Sequence, residues 1–237
     1  FKNVKFYYPL PDYKLAQMIY SDNYLPQKDL GERLLFYHRN QSTLLVPEQQ
    51  LYSDLIDNQV FPFFANSSLT ESSLDGESSS VLFAAVTTDR GKKHGLSTCV
   101  HEISRKGEKK EGWIVKKRAL YRDGQPSIES VYNNMMELEK RGIPVVPHKI
   151  EGDAVVMPFI PDITCSDYLR KLVSVGDRET FEAIFEMLYK NILKSSEIVP
   201  DGENKLPEAK EILVEYGPIL KQCYVDMVPF NCFYING

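Results

Sequence analysis

The fold of this chain is decided by residues 81–120, which read VLFAAVTTDRGKKHGLSTCVHEISRKGEKKEGWIVKKRAL. Residues 81–86 are apolar, residues 96–103 alternate between apolar and polar, and residues 113–120 follow as a third segment. Polar connections lie between them at 87–95 and 106–112. Segments of this length, bounded by turn residues, are typical of strands. The pattern predicts an antiparallel meander whose first two strands form a hairpin.

After the third strand, the apolar period changes from strand-like to helical. Apolar residues recur along one face of 127–141, and Gly142 follows the last turn, which predicts a helix. Two more strands are expected at 145–150 and 154–159, joined by the turn Glu151-Gly152-Asp153. Beyond them the periodicity predicts helices at 166–172, 178–194 and 207–220. Five strands with one helix are thus followed by a helical region, which is an α+β arrangement.

The region before residue 81 carries weaker signals. Val4–Tyr8 is expected to be an edge strand, followed by an extended segment that aromatic side chains hold in place. Pro47 and the apolar spacing after it predict a short helix that ends near Pro62. Residues 66–80 are rich in serine and acid, which predicts a linker or mobile loop.

Composition excludes several classes of function. The net charge is −5, with 28 basic and 33 acidic side chains interspersed, so the chain has no electrostatic footprint for nucleic acid. The four cysteines lack C-x-x-C spacing and the four histidines lack H-x-x-x-H spacing, which argues against a zinc site or a disulfide framework. No apolar run approaches the roughly 20 residues of a membrane span. We therefore expect a cytoplasmic protein without a transmembrane segment.

The strongest motif lies at 224–235, YVDMVPFNCFYI, where Asn231 follows Asp226 by five residues. This spacing resembles the catalytic loop H-R-D-x-x-x-x-N of protein kinases. A compact loop lets the aspartate orient and deprotonate an acceptor hydroxyl while the asparagine binds magnesium. The resemblance therefore makes Asp226 the candidate catalytic base and Asn231 the candidate metal ligand.

The third strand supplies a candidate phosphate-binding lysine. By the period of two, Val115 and Lys117 share one face, so Val115 is expected to line an adenine pocket and Lys117 to hold the phosphates. Lys116 points to the other face and ranks second. The resemblance also requires a helix glutamate that pairs with the lysine. Glu129 is the preferred candidate, and Glu137 is the alternative.

The remaining nucleotide contacts are expected from two segments. Residues 155–160, VVMPFI, resemble the last strand and hinge, with Met157 at the back of the pocket and the backbone of 158–160, including Phe159 and Ile160, facing adenine. The basic loop at 88–95 occupies the place of a glycine-rich phosphate cover, in which Arg90 and Lys92 add charge to backbone amides.

Over residues 79–237 the chain resembles the small-molecule branch of the kinase-like superfamily, that of aminoglycoside and choline kinases. The resemblance implies a two-lobe fold, with an N-lobe of five antiparallel strands and one helix at 81–160 and a partial helical C-lobe at 161–237. Tyr224 replaces the usual histidine, and the second metal-binding aspartate is expected past Gly237.

Residues 1–14, FKNVKFYYPLPDYK, with Ile19-Tyr20-Ser21-Asp22 after them, resemble the closing strand and tail of class I S-adenosylmethionine methyltransferases. In bacterial surface-polysaccharide proteins such a methyltransferase is fused to a kinase-like domain. The resemblance makes residues 1–65 a methyltransferase tail and connector, and places the S-adenosylmethionine site upstream of Phe1.

The leading hypothesis is an ATP- and magnesium-dependent phosphotransferase that acts on a glycan or another small hydroxyl acceptor. Two alternatives remain. A pseudokinase would use the same fold to bind or scaffold the methyltransferase, and a substrate-recognition arm would only present the glycan.

Overall fold

The computed structural model describes residues 2–27, 30–33, 45–87, 89–105, 108–200 and 217–235. The fold is α+β: one eight-stranded antiparallel sheet, with several helices that mostly follow the strands. The strands are β1 (Asn3–Leu10), β2 (Met18–Ser21), β3 (Leu69–Ser73), β4 (Val81–Val86), β5 (Leu96–Arg105), β6 (Glu108–Ala119), β7 (Lys149–Glu151) and β8 (Ala154–Pro158).

The helices are α1 (Leu30–Arg33), α2 (Glu48–Asp57), α3 (Phe61–Phe64), α4 (Gly91–His94), α5 (Gln125–Lys140), α6 (Cys165–Val175) and α7 (Arg178–Lys194). Short 3₁₀ turns occur at Arg122–Gly124 and Pro229–Asn231. No helix within the described ranges is long and apolar enough to cross a bilayer.

The sheet order is β3-β1-β2-β4-β5-β6-β8-β7. The five strands expected from residues 81–159 are therefore adjacent, as β4-β5-β6-β8-β7, and α5 lies between β6 and β7 in sequence. The expected five-stranded sheet is extended by three N-terminal strands, because β2 pairs with β4 through Met18 opposite Ala85 and Ile19 opposite Ala84.

Several local predictions require correction. The predicted edge strand at Val4–Tyr8 lies inside the sheet, because β1 pairs with β2 on one side and β3 on the other. The segment predicted as a linker at 66–80 contains β3, in which Thr70 pairs with Phe6 through the backbone. Backbone pairing does not require apolar side chains at a sheet edge, so serine-rich composition does not prevent it.

Connections also differ from the prediction. The expected open loop at 87–95 contains α4, and the expected turn at 106–112 is mostly strand, because β6 begins at Glu108. Of the strand predicted at 145–150, only the end lies in a strand, β7 (Lys149–Glu151). The helix expected at 207–220 falls largely outside the described residues.

The helices of the C-terminal region agree well with the periodicity. α7 has the predicted bounds, and the Asp177 side chain caps it by accepting from the Thr180 amide. α6 begins at Cys165, one residue before the prediction, and ends at Val175; Gly176 follows with a φ of 74°, the left-handed conformation that glycine adopts readily.

The chain divides into two compact units, Phe1–Tyr132 with Val146–Phe159, and Asn133–Val145 with Ile160–Gly237. The first contains the sheet and a core of aromatic and aliphatic residues from β1, β2 and α1–α3: Tyr8, Leu10, Met18, Tyr20, Leu30, Tyr52 and Phe61. The second has a smaller core from α6 and α7: Cys165, Leu169, Leu172 and Ile184.

One face of the sheet carries the core residues of β1 and β2, and we call it the α2 face. Residues directly opposite each other in antiparallel strands lie on the same face. One row of opposite residues on the α2 face runs Leu10, Met18, Ala85, Thr98, Lys117 and Val155, and a second runs Phe83, Val100, Val115 and Met157. The N-terminal strands β1 and β2 therefore share the α2 face with Lys117, Val115 and Met157, the residues predicted for the nucleotide site.

Candidate functional site

The Asp226–Asn231 motif forms a compact double turn in the second unit. The Met227 amide donates to the Tyr224 carbonyl at 3.0 Å, and the Asn231 amide donates to the Val228 carbonyl at 2.9 Å. The Asn231 side-chain nitrogen Nδ2 donates to the Asp226 carbonyl oxygen at 3.0 Å. The structure thus brings the two predicted residues together, and both are exposed.

The two atoms of the Asn231 carboxamide have different roles in this contact. Nδ2 donates the hydrogen bond that closes the loop. Oδ1 takes no part in that bond, and its two lone pairs can accept from another group. Oxygen is the ligand atom that Mg²⁺ prefers, and protein-bound Mg²⁺ usually keeps several waters or phosphate oxygens. The assignment of Asn231 as a magnesium ligand stays a prediction of the resemblance.

The segment after the loop is anchored to the start of α6. The Cys165 amide donates to the Cys232 carbonyl at 2.7 Å, and the Tyr234 amide donates to the Ile163 carbonyl at 3.0 Å. The Tyr168 and Tyr234 rings stack with centroids 3.8 Å apart. Backbone and ring contacts thus fix the chain directly behind Asn231.

The thiols of two cysteines in this anchor have raised pKa values. Burial raises the pKa of the Cys232 thiol, and the neighbouring Cys165 raises it further. Burial also raises the pKa of Cys165. A thiol attacks only as a thiolate, so neither cysteine is suited to nucleophilic catalysis at neutral pH.

Lys117 lies on β6 in the first unit, on the α2 face as predicted. It stands opposite Thr98 on β5 and Val155 on β8, and Val155 is fully buried. Val115, two residues earlier, stands opposite Val100 and Met157. The structure therefore brings Val115, Lys117 and Met157 onto neighbouring strands of one face.

Lys116 belongs to the opposite face, where it stands between Cys99 and Val156. The predicted alternation of the two lysines is thus present. It also makes Lys116 a matched control for Lys117, since the two share a strand but not a face.

The predicted pairing of Lys117 with Glu129 stays a prediction. Glu129 lies in the early part of α5 and is exposed. Glu137, the alternative, binds Arg141 one turn later, with 3.3 Å between Oε1 and Nε. Tyr132, three residues after Glu129 on α5, packs its ring on that of His148, with centroids 5.3 Å apart.

The backbone after Met157 offers fewer donors than predicted. Pro158 has no N–H. The Phe159 amide donates to the Trp113 carbonyl at 3.1 Å and is therefore already used. Of the three residues predicted to face adenine, Ile160 is left as the candidate amide donor.

The predicted phosphate cover is a helical turn rather than an open loop. In α4 the Gly95 amide donates to the Gly91 carbonyl at 2.8 Å, so that amide does not face outward for a phosphate. Arg90 and Lys92 are exposed. Any phosphate here would be held by these charges more than by a row of free amides.

Close packing fixes α4 in place. The Ser127 hydroxyl donates to the Lys93 carbonyl at 2.7 Å. A Cβ added at Gly124 would lie 3.2 Å from the Ala119 Cβ and 3.3 Å from the Lys92 carbonyl oxygen, so a larger residue would crowd the turn. Glycine at 124 thus lets the basic turn approach the start of α5.

The sequence did not reveal that a residue of the N-terminal segment packs near the predicted hinge. Tyr24, from the N-terminal segment, lies 5.5 Å from Trp113 and 6.0 Å from Phe159 between ring centroids. The density of aromatic residues in the first 26 positions was the available signal, and it indicated packing without identifying the partner.

No metal site of three or more His, Cys, Asp or Glu side chains occurs within the described ranges. Comparison with protein-family models, with curated proteins and with solved structures found no match to this chain.

Proposed function

We propose that this chain is a kinase-like phosphotransferase domain that uses ATP and Mg²⁺ and phosphorylates a glycan or another small hydroxyl acceptor. The observation that carries the proposal is the closure of the Asp226–Asn231 loop by the Asn231 amide. It holds an exposed carboxylate and an exposed amide oxygen in one short turn, the combination that phosphoryl transfer to a hydroxyl requires.

The strand order supports the same proposal. Five strands run in the order β4-β5-β6-β8-β7, with α5 inserted before the last two, and helices follow. A kinase N-lobe presents its lysine from the third strand of this series. Lys117 lies on that strand, beside Val115 and opposite the strand of Met157. The two-lobe kinase-like fold is therefore part of the proposal.

The chemistry assigned to the residues is simple. The acceptor oxygen attacks the γ-phosphorus, and the bond from that phosphorus to the leaving ADP oxygen breaks. Asp226 takes the hydroxyl proton, and Lys117 holds the phosphates. Magnesium, with Asn231 among its ligands, would neutralise charge on the phosphate oxygens. From the resemblance of residues 1–14 to a methyltransferase tail, we also propose that this domain acts in one protein with a methyltransferase.

Calorimetric titration with Mg²⁺ and a non-hydrolysable ATP analogue tests the proposal. Replacing Lys117 by Ala should weaken binding by about tenfold or more, because a charged hydrogen bond to phosphate is lost. Lys116→Ala should leave affinity within about twofold of wild type, since that side chain is on the other face. Absence of binding by the wild type, or equal losses in both variants, would overturn the nucleotide site.

A second candidate is a pseudokinase, and the exposed position of Glu129 favours it. Asp226→Ala separates the two. If the domain is an enzyme, this variant should keep nucleotide affinity and lose phosphate transfer to a panel of sugars and other hydroxyl acceptors. If the wild type binds the analogue but transfers no phosphate from ATP to any of them, the scaffolding function is preferred.

A further inference from the structure

Four aromatic residues form a cluster at the end of β8, and we call it the hinge cluster: Tyr24, Phe83, Trp113 and Phe159. The Tyr24 ring centroid lies 5.2 Å from Phe83, 5.5 Å from Trp113 and 6.0 Å from Phe159. Trp113 and Phe159 are 5.0 Å apart with an edge-to-face geometry. Tyr24 is thus the one member that contacts the three others.

Tyr24 is held from its own side as well. A tight turn joins it to β2. The Tyr24 amide donates to the Ser21 carbonyl at 2.9 Å, and the Ser21 amide donates to the Tyr24 carbonyl at 3.3 Å. Ser21 is fully buried. The Tyr20 ring, in the core of the first unit, packs on Phe83 at 4.9 Å and on Tyr24 at 6.4 Å. The ring of Tyr24 therefore has a defined place.

The hinge cluster extends from the core of the first unit to its rim. Tyr24 and Phe83 are partly buried and pack against the core that contains Tyr8 and Leu10, whereas Trp113 is 37% exposed. Aromatic contacts at the exposed end contribute less to folding than buried ones, because less apolar surface leaves water. At that end, Tyr24 and Trp113 pack on the ring of Phe159.

Phe159 is restrained twice, and both restraints pass through Trp113. Its amide donates to the Trp113 carbonyl, and its ring packs on the Trp113 ring. The Tyr24 ring packs on both of these rings. Without the Tyr24 ring, the Phe159 ring would keep only its contact with Trp113, so we expect the backbone after Met157 to be less firmly positioned.

We propose that Tyr24 is a positioning residue for the adenine end of the proposed nucleotide site, acting through Trp113 and Phe159. The inference rests on the proposed function and adds to it that the N-terminal strands belong to the nucleotide-binding lobe. Tyr24 itself need not touch the nucleotide. It fixes the segment whose backbone groups would pair with adenine, and it leaves the phosphate end around Lys117 unaffected.

The chain provides its own probe, because Trp113 is its single tryptophan. Fluorescence titrations with Mg²⁺ and a non-hydrolysable ATP analogue, and separately with Mg²⁺ and tripolyphosphate, compare the wild type with Tyr24→Ala and Tyr24→Phe. A matched control is Tyr52→Ala, which removes a buried tyrosine that packs on Phe61 at 6.5 Å, in the same unit.

Tyr24→Ala is expected to weaken binding of the ATP analogue by about tenfold and to leave tripolyphosphate binding within about twofold of wild type. Tyr24→Phe keeps the ring and should bind as the wild type does. Tyr52→Ala should lower the melting temperature without changing either affinity. The emission of Trp113 in Tyr24→Ala should shift to longer wavelength, because the indole becomes more exposed to water.

Two outcomes would overturn the positioning role. Unchanged analogue affinity in Tyr24→Ala shows that the ring is dispensable, and equal loss of both ligands shows a general structural role. Both outcomes can be told apart from a failure of the proposed function, because in that case the wild type would bind neither ligand. That last result removes the nucleotide site and the role of Tyr24 together.

Discussion

At the scale of single residues, the Asp226–Asn231 loop shows how a short sequence spacing becomes geometry. Both residues are local in sequence, so the motif could be found without the structure. The bond between the Asn231 side chain and the Asp226 carbonyl was not predictable, because the spacing alone does not say which atom of the amide faces the loop. That bond leaves the oxygen, not the nitrogen, for a metal.

Asn231→Ala is expected to lower the free energy of unfolding by about 1 kcal/mol, since the exposed loop loses one side-chain hydrogen bond. Asn231→Asp also removes the donor and should be destabilised similarly, but it retains an oxygen for magnesium. Denaturant unfolding with and without Mg²⁺ and the ATP analogue measures both effects. An Asn231→Asp protein as stable as the wild type would show that the bond does not hold the loop.

Tyr7 and Glu71 form the clearest titrating pair outside the candidate site. The Tyr7 hydroxyl donates to a Glu71 carboxylate oxygen at 2.8 Å, and the Ser79 amide donates to the other at 2.7 Å. The amide of Ser79, followed by Tyr7, lowers the pKa of Glu71. Burial, followed by the bond to Glu71, raises the pKa of Tyr7 to about 12.

The two pKa shifts have opposite directions, so they predict a loss of stability at acidic pH from Glu71 and at alkaline pH from Tyr7. The Glu71 contribution to stability is present above its ordinary pKa and is lost as pH falls through the lowered folded value. The Tyr7 contribution is present below pH 10 and is lost as pH rises through about 12. The stability difference between wild type and Glu71→Gln should therefore shrink on acidification. Equal differences at neutral and acidic pH would rule out this linkage.

At the scale of elements, prediction succeeded where the signal is local. Side chains of a strand point to alternate faces, and applying this period of two to Trp113–Ala119 placed Lys117 and Lys116 on opposite faces correctly. The strand β3 gave no such signal, because its partner β1 is distant in sequence and the pairing uses backbone groups. Tyr24 is missing from the predicted site for the same reason, since its contacts with Trp113 and Phe159 are non-local.

The start of α6 is an element whose cap also supports the candidate loop. The Thr164 hydroxyl oxygen accepts from the Asp167 amide at 3.1 Å and donates to the Asp167 carboxylate at 2.6 Å. Thr164 also pairs with Phe233, two residues after Asn231, in an isolated antiparallel bridge. The cap and the anchor of the loop thus share a residue.

Thr164→Ala should destabilise the protein by about 1 kcal/mol, because the amide at the third helical position loses its acceptor. Thr164→Ser keeps the hydroxyl and should remain within about 0.5 kcal/mol of the wild type. Urea unfolding followed by circular dichroism at the helix band checks both variants. If alanine and serine at 164 give equal midpoints, the hydroxyl does not act as a cap.

At the scale of the whole molecule, the described residues contain two cores of unequal size. The larger one belongs to the unit that holds the sheet, and the smaller one to the unit that holds α6 and α7. Local stability follows the apolar surface that a region buries. The candidate Asp226–Asn231 loop therefore belongs to the unit with the smaller described core, and Lys117 to the unit with the larger.

Hydrogen exchange should resolve this difference. Amides of the central strands, such as those of Val100 and Val115, are expected to exchange more slowly than the best-protected amides of α6 and α7 around Leu172 and Ile184. Leu172→Ala, at a position 5% exposed, should cost about 2–5 kcal/mol locally and speed exchange in α6 and α7 more than in β5 and β6. Mass spectrometry of peptides from each unit provides the measurement. If exchange instead accelerates equally in all of these elements, the chain opens as one cooperative body, and the order of protection would then reflect strand pairing rather than the size of each core.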